Sequence, residues 1–138
     1  MKVRGILGVG VDICKVSRIK RLIDKSPYYQ ERFLTGTFHE SEVQAFRSKE
    51  VDHVREQYLA SRWALKEALV KASGRTDLEY KGIYLDKSGS RHQLAVSGEK
   101  NLAIIYDELR VCAMNSSLSH EEDYAVAFVT LETMMDSK

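Results

Sequence analysis

The stretch from about residue 51 to 73 constrains the fold of this chain more than any other. Its apolar positions include Val54, Tyr58, Trp63, Leu65, Leu69 and Ala72, with Ala60, Ala64 and Ala68 at i, i+4 and i+8. That spacing predicts an amphipathic helix carrying a stripe of small residues. Gly74 is its natural C-terminal cap, because glycine enters the left-handed region without steric cost. The whole chain has 138 residues, the size of one domain, so residues 1–138 read as a single folded unit.

Residues 5–13, GILGVGVDI, alternate as a strand does. Leu7, Val9, Val11 and Ile13 face one way, and Gly8, Gly10 and Asp12 face the other. Glycines on one face let a backbone or a ligand come close. A short helix follows, with Ser17 as its expected N-cap, and ends before Pro27. The run Thr37 to Glu40, TFHE, fits a capping box that opens a helix with Val43 and Phe46 inside. Segments 82–86 and 93–97 read as a hairpin, 99–109 as a helix, and 111–118 and 123–131 as strands. Strands at both ends around central helices predict an α+β fold, a small antiparallel sheet packed with the long helix.

With 43% apolar residues the chain can form one core, and at this length it needs no disulfide to fold. Lys and Arg number 21 against 20 Asp and Glu, which argues against a general nucleic-acid binder but permits a local basic patch. Cys14 and Cys112 form no metal-ligand cluster and read as two free, buried thiols of a reduced compartment. No apolar run approaches the roughly 18 residues of a membrane span. The opening MKVRGILGVGVDI has basic residues before an apolar run, yet Gly8, Gly10 and Asp12 interrupt it and no small-residue cleavage site follows. It reads as a strand, and the expected location is the cytoplasm, or an organelle lumen if a leader has been removed.

Three features could carry chemistry. Asp12 on the strand and Glu67 on the long helix are carboxylates from different elements, a pattern that suits Mg²⁺ with retained waters and substrate phosphates. The plainer alternative for Glu67 is a solvated i,i+4 pair with Lys71. Ser119 and His120 lie at a strand end before a tight return, where a histidine is often a plain surface residue. They make no hydrolase triad, and there is no GxSxG elbow. Lys15, Arg18, Lys20, Arg21 and Lys25 meet only Asp24, so this helix is either a solvated face or a dock for an acidic partner. GVGVD does not match the dinucleotide fingerprint, and no GxxxxGK[ST] loop is present.

Four blocks in order resemble one family. GVGVDICKVSRI (8–19), FLTGTFHESEV (33–43), YLASRWALKEALVKASG (58–74) and SLSHEEDYAVAFV (117–129) are similar to the signature segments of holo-[acyl-carrier-protein] synthases. These are the small, single-module group of the 4′-phosphopantetheinyl transferase superfamily. The resemblance implies transfer of the 4′-phosphopantetheine arm of coenzyme A to a serine of apo acyl carrier protein, releasing adenosine 3′,5′-bisphosphate, in fatty acid biosynthesis. It implies Asp12 and Glu67 as the Mg²⁺ pair and Lys71 as a contact to the phosphate under attack. It places Gly74, Ser119 and His120 toward coenzyme A, which is a substrate, and Arg62 and Lys66 as phosphate or helix-register contacts. Arg18, with Arg21 and Arg32 extending the patch, would dock the carrier's acidic helix. It also implies a homotrimer with active sites between subunits, and neither nucleic acid nor membrane as partner.

The chain departs from the family pattern at RTDLEY (75–80), where a G-T-G-like loop is common, and at SGSRHQL (88–94), where many members have G-K-P. Two rival readings remain: a non-catalytic module that docks acidic helices, and another Mg²⁺-dependent phosphoryl-transfer enzyme or nucleotide hydrolase. A binding module has no need to combine Asp12, Glu67 and Lys71.

Overall fold

The computed structural model describes residues 1–137. The first strand, β1 (Lys2–Lys15), extends beyond the expected 5–13 because it pairs along its length with the last strand. Helices α1 (Val16–Ile23), α2 (Pro27–Thr37) and α3 (Glu40–Ser48) lead into α4 (Asp52–Ser73), the long helix of the sequence. A 3₁₀ turn at Tyr80–Gly82 precedes the hairpin β2 (Ile83–Asp86) and β3 (Gln93–Val96). Then come α5 (Glu99–Leu102), a π-helical segment Ala103–Glu108, β4 (Val111–His120) and β5 (Tyr124–Asp136). The main sheet is antiparallel in the order β1-β5-β4, and β2-β3 form a separate ribbon. The class is α+β, as the sequence predicts.

Helix α4 lies across the inner face of the main sheet, against β1 and β5. Its small stripe explains how: Ala60, Ala64 and Ala68 are fully buried, together with Leu59, Leu65 and Leu69. The glycine face of β1 is the face that meets it. A Cβ at Gly8 would overlap the Ala72 carbonyl oxygen, and one at Gly10 the Ala68 carbonyl oxygen. Strand and helix therefore touch backbone to backbone. From β5, Ala125, Ala127, Val129 and Leu131 fill the same interior, each with 0% exposure.

The apolar face of β1 consequently points outward. Val9, Val11 and Ile13 are each more than half exposed, and Phe128 and Tyr124 lie beside Val11 and Lys15 in the sheet register. An apolar strip on the outside of a sheet is unusual for a chain that stays alone. Leu7 is the extra residue of a β-bulge, the register passing from Ile6–Glu132 to Gly8–Leu131.

Several local expectations are corrected. Helix α1 begins two residues early: Lys15 is its N-cap without a side-chain bond, and the Val16 N–H is satisfied by the Asp123 carbonyl at 2.8 Å. Ser17 is thus inside the helix. The capping box is real but displaced, with His39 as N-cap and Glu42 as its reciprocal acceptor. The predicted helix over 99–109 is a four-residue α-helix that widens into the π-helical segment. Cys14 is buried, but Cys112 is exposed.

Because backbone oxygen cannot move aside as a side chain can, Gly10→Ala is expected to destabilise by about 3 kcal/mol, the top of the usual overpacking range. Urea unfolding of the variant beside wild type measures it, and an unchanged midpoint would refute the backbone contact.

Candidate active site

Asp12 belongs to the inward row of β1, between Gly10 and Cys14, so its short side chain is aimed at α4. Lys71 meets it there. Its Nζ donates to Asp12 Oδ1 at 2.9 Å and to the Val11 carbonyl at 3.1 Å. The i,i+4 alternative for Glu67 and Lys71 is not the arrangement adopted, since Lys71 crosses to the strand. Its ammonium is held above its ordinary pKa first by the hydrogen bond to Asp12, then by that carboxylate's charge, with Glu67 adding to it. The charges of Asp12 and Glu67 both act on Cys14 and on Tyr80. The Cys14 thiol is pushed up to about 11, chiefly by burial, and so is no nucleophile at neutral pH.

The donor chemistry of the pair fits a hard cation. Among the described residues no three His, Cys, Asp or Glu side chains converge as a closed metal cage. Two carboxylate donors are what Mg²⁺ ordinarily takes from protein, its other positions going to water and phosphate oxygens. Asp12 and Glu67 are the residues that would hold it.

A second, cationic group lies nearer the start of α4. Arg62 is buried, stacks over the Tyr58 ring with its guanidinium 4.5 Å from the centroid, and donates to the neutral Ser61 Oγ at 3.0 Å. It walls two adjoining cavities. One, of about 360 Å³, is also lined by Tyr58, Lys87, Glu42 and the stacked rings of His39 and Tyr84. The other, of about 380 Å³, is lined by Lys49, Gln57, Tyr58, Leu118 and His120. Burial and then the charges of Arg62 and Lys49 lower the pKa of Lys87. Neither cavity is lined by Asp12, Glu67 or Lys71.

The family model described as the 4′-phosphopantetheinyl transferase superfamily matches residues 8–129. The chain belongs to that superfamily. A holo-[acyl-carrier-protein] synthase from Wolbachia sp. subsp. Brugia malayi is 37% identical over 133 residues, covering 91% of this chain and 95% of its own. A Bacillus anthracis holo-(acyl-carrier-protein) synthase solved in complex with CoA (3′,5′-ADP) superposes with a TM-score of 0.69 at 27% identity, over 93% of this chain and 97% of that one. The Neisseria meningitidis holo-[acyl-carrier-protein] synthase gives 0.75 at 27%, over 92% and 98%. The chain is an enzyme of the holo-[acyl-carrier-protein] synthase type.

For a phosphopantetheinyl transferase, the fate of each motif residue now matters. Of the two roles expected of Lys66, the structure fits helix register and not a phosphate contact. Lys66 is fully buried, and its Nζ donates to Glu42 Oε1 at 2.6 Å and to the Ile83 carbonyl, while lying over the Phe38 ring. It ties α4 to α3 and β2 and cannot reach a phosphate in solvent. Burial lowers its pKa against the opposing influence of Glu42. Gly74 serves as the left-handed C-cap of α4 at φ 68°. Ser119 and His120 are separated: Ser119 is in the outer row of β4, paired with Val126, while His120 is in the inner row and lines the cavity beside Arg62. Arg18 and Arg21 are exposed on α1, and Arg32 on α2 donates to the Tyr28 hydroxyl at 3.1 Å. Lys20, by contrast, is already paired with Asp24 and Glu56. Lys49, Tyr80 and Lys87 had no sequence signal, because each joins the site through the fold.

Removing one partner of the buried pair strands the other as an unpaired charge. Lys66→Met alone is expected to cost about 3–5 kcal/mol, and the double variant Lys66→Met/Glu42→Leu to recover most of that. The remainder is the lost bond from the His39 N–H to Glu42, about 1 kcal/mol in denaturant unfolding.

Proposed function

We propose that this enzyme transfers the 4′-phosphopantetheine arm of coenzyme A to a serine of apo acyl carrier protein, with Mg²⁺ and as a homotrimer. The observation that carries the reading is the Asp12–Lys71 pair at the contact of β1 with α4, with Glu67 one turn before Lys71 on the same helix. In this reading the serine Oγ forms a bond to the phosphorus attached to pantetheine. The diphosphate P–O bond breaks, and adenosine 3′,5′-bisphosphate leaves. The serine proton passes to a carboxylate of the pair. A bound Mg²⁺ supplies charge neutralisation on the diphosphate oxygens. Lys71 sets a fixed positive charge beside the same oxygens, so part of the stabilisation needs no rearrangement during reaction. Arg62, Lys49 and Lys87 would accept the remaining phosphate of coenzyme A, and the His39–Tyr84 and Tyr58 rings offer flat surfaces to its nucleotide. Arg18, Arg21 and Arg32 would meet an acidic carrier helix, a contact acting through encounter rate and orientation.

The geometry of α4 supports a site shared between chains. Arg62 and Glu67 are five residues apart, so they point about 140° away from each other around the helix axis. One chain therefore offers its carboxylates and its phosphate-binding cations to different sides. A complete site arises when the carboxylates of one chain face the cations of the next. The outward strip of Val9, Val11, Ile13 and Phe128 supports such an assembly. A heterologous contact of this kind repeats around a closed ring.

The test mixes the protein with apo carrier, coenzyme A and Mg²⁺ and follows the carrier's intact mass. A pantetheinyl gain is expected, with Asp12→Ala and Glu67→Ala reducing the rate at least about 100-fold through lost metal. No gain with any of several carriers would refute the transferase reading. Phe128→Glu is expected to convert a trimer to monomer in light scattering and to abolish transfer. Full activity from a wild-type monomer would refute the shared site.

A further inference from the structure

Three basic side chains line the cavity of about 380 Å³ beside α4: Lys49, Arg62 and His120. They come from three places: Lys49 follows α3, Arg62 lies on α4, and His120 ends β4. Two of them are held by one ring. The Lys49 ammonium and the Arg62 guanidinium lie 4.7 and 4.5 Å from the Tyr58 centroid, so cation–π attraction fixes both at the cavity wall. The third, His120, is exposed at the point where its strand stops, so its place is set by the turn behind it.

That turn, from Glu121 to Asp123, is tied at three points. The Glu121 N–H donates to the Tyr124 carbonyl at 2.9 Å and closes it. The Val16 N–H, at the start of α1, donates to the Asp123 carbonyl at 2.8 Å. From α4, Gln57 Nε2 donates to the Glu121 and Glu122 carbonyls at 3.3 and 3.4 Å. A carboxamide nitrogen carries two hydrogens, one for each carbonyl. This last tie runs from the helix that bears Arg62, and it grips the first two carbonyls after the histidine. Gln57 is itself half-buried on the wall of the same cavity. Gln57 and Tyr58, neighbours in sequence, thus order all three basic groups.

We propose that Gln57 is a positioning residue: its carboxamide ties the β4–β5 turn to α4 and so fixes His120 beside Arg62 and Lys49, for the phosphate of coenzyme A outside the diphosphate. This rests on Arg62 and Lys49 being acceptors of that phosphate. A charge-assisted bond to a phosphate oxygen needs a separation of about 2.7–2.9 Å, and a turn free to swing away loses it. Gln57 acts through the backbone that carries the histidine. Its own contribution is to place, not to bind.

The test uses Gln57→Met in the full chain, which keeps the length of the side chain and removes the donor. The dissociation constant for adenosine 3′,5′-bisphosphate, measured by calorimetry, is expected to rise about three- to tenfold, the value of one net hydrogen bond. The KM for coenzyme A should rise by the same factor, with kcat nearly unchanged. For dephospho-coenzyme A, which lacks the phosphate in question, Gln57→Met and wild type should give equal KM. In a His120→Ala background the Gln57→Met step should cost nothing further, because the two residues act as one unit. An unchanged dissociation constant, a loss equal for coenzyme A and its dephospho form, or a loss that adds in full to that of His120→Ala would each overturn this inference alone. Wild-type protein that binds coenzyme A no better than its dephospho form would overturn the phosphate reading beneath it.

Discussion

The close approach of β1 to α4 is the constraint on which the active site depends. Gly8 and Gly10 have no side chains to hold the strand away from the carbonyls of Ala72 and Ala68. An aspartate has one of the shortest charged side chains, and only at this separation can Asp12 meet Lys71 at 2.9 Å. A larger residue in either stripe would move strand from helix and take Asp12 out of reach of Lys71. The alanines of α4 and the glycines of β1 therefore act as one device, set in two distant parts of the sequence.

The cations of α4 are given three destinations by helical geometry. Lys66 is directed inward to Glu42, Arg62 to the two cavities, and Lys71 to the strand. The inward pair links three elements, though such a pair adds little net stability over a well-packed apolar substitute. Glu42 Oε2 has no hydrogen-bond partner even though it is buried, while Oε1 serves both Lys66 and the His39 N–H. The contribution of the pair is one of register: it sets how α3 and β2 lie on α4, and hence where Arg62 opens toward Lys87.

Much of this was legible in the sequence. The periodicity of α4, the alternation of β1 and the hairpin gave the α+β class, and motif positions carried Asp12, Glu67 and Lys71. Alternation, however, states which residues share a face and not which face is buried. The apolar side of β1 turned out to be the exposed one, because the other side was bare enough to touch a helix backbone. Lys66 and Glu67 are neighbours in the chain but about 100° apart around the helix. Motif position could not tell that one is entombed while the other stays partly exposed. Lys49, Tyr80 and Lys87 come from a helix end, a turn and a hairpin, and only tertiary packing gathers them. Cys112 was misjudged because a cysteine's usual preference for burial says nothing of its place on an edge strand.

Strand β1 alternates between two sets of obligations. Gly8, Gly10 and Asp12 answer to the helix of their own chain, while Val9, Val11 and Ile13 present the outward strip assigned to a neighbour. Asp12 sits between two members of that strip and shares their peptide bonds. A pleated strand is stiff along its length, so a shift imposed on Val11 and Ile13 is handed on to the carboxylate nearly undiminished. In the proposed assembly, subunit contact and ligand geometry would in this way be written on alternate letters of one short segment. Drift in the outer residues would then be restrained by chemistry they never touch.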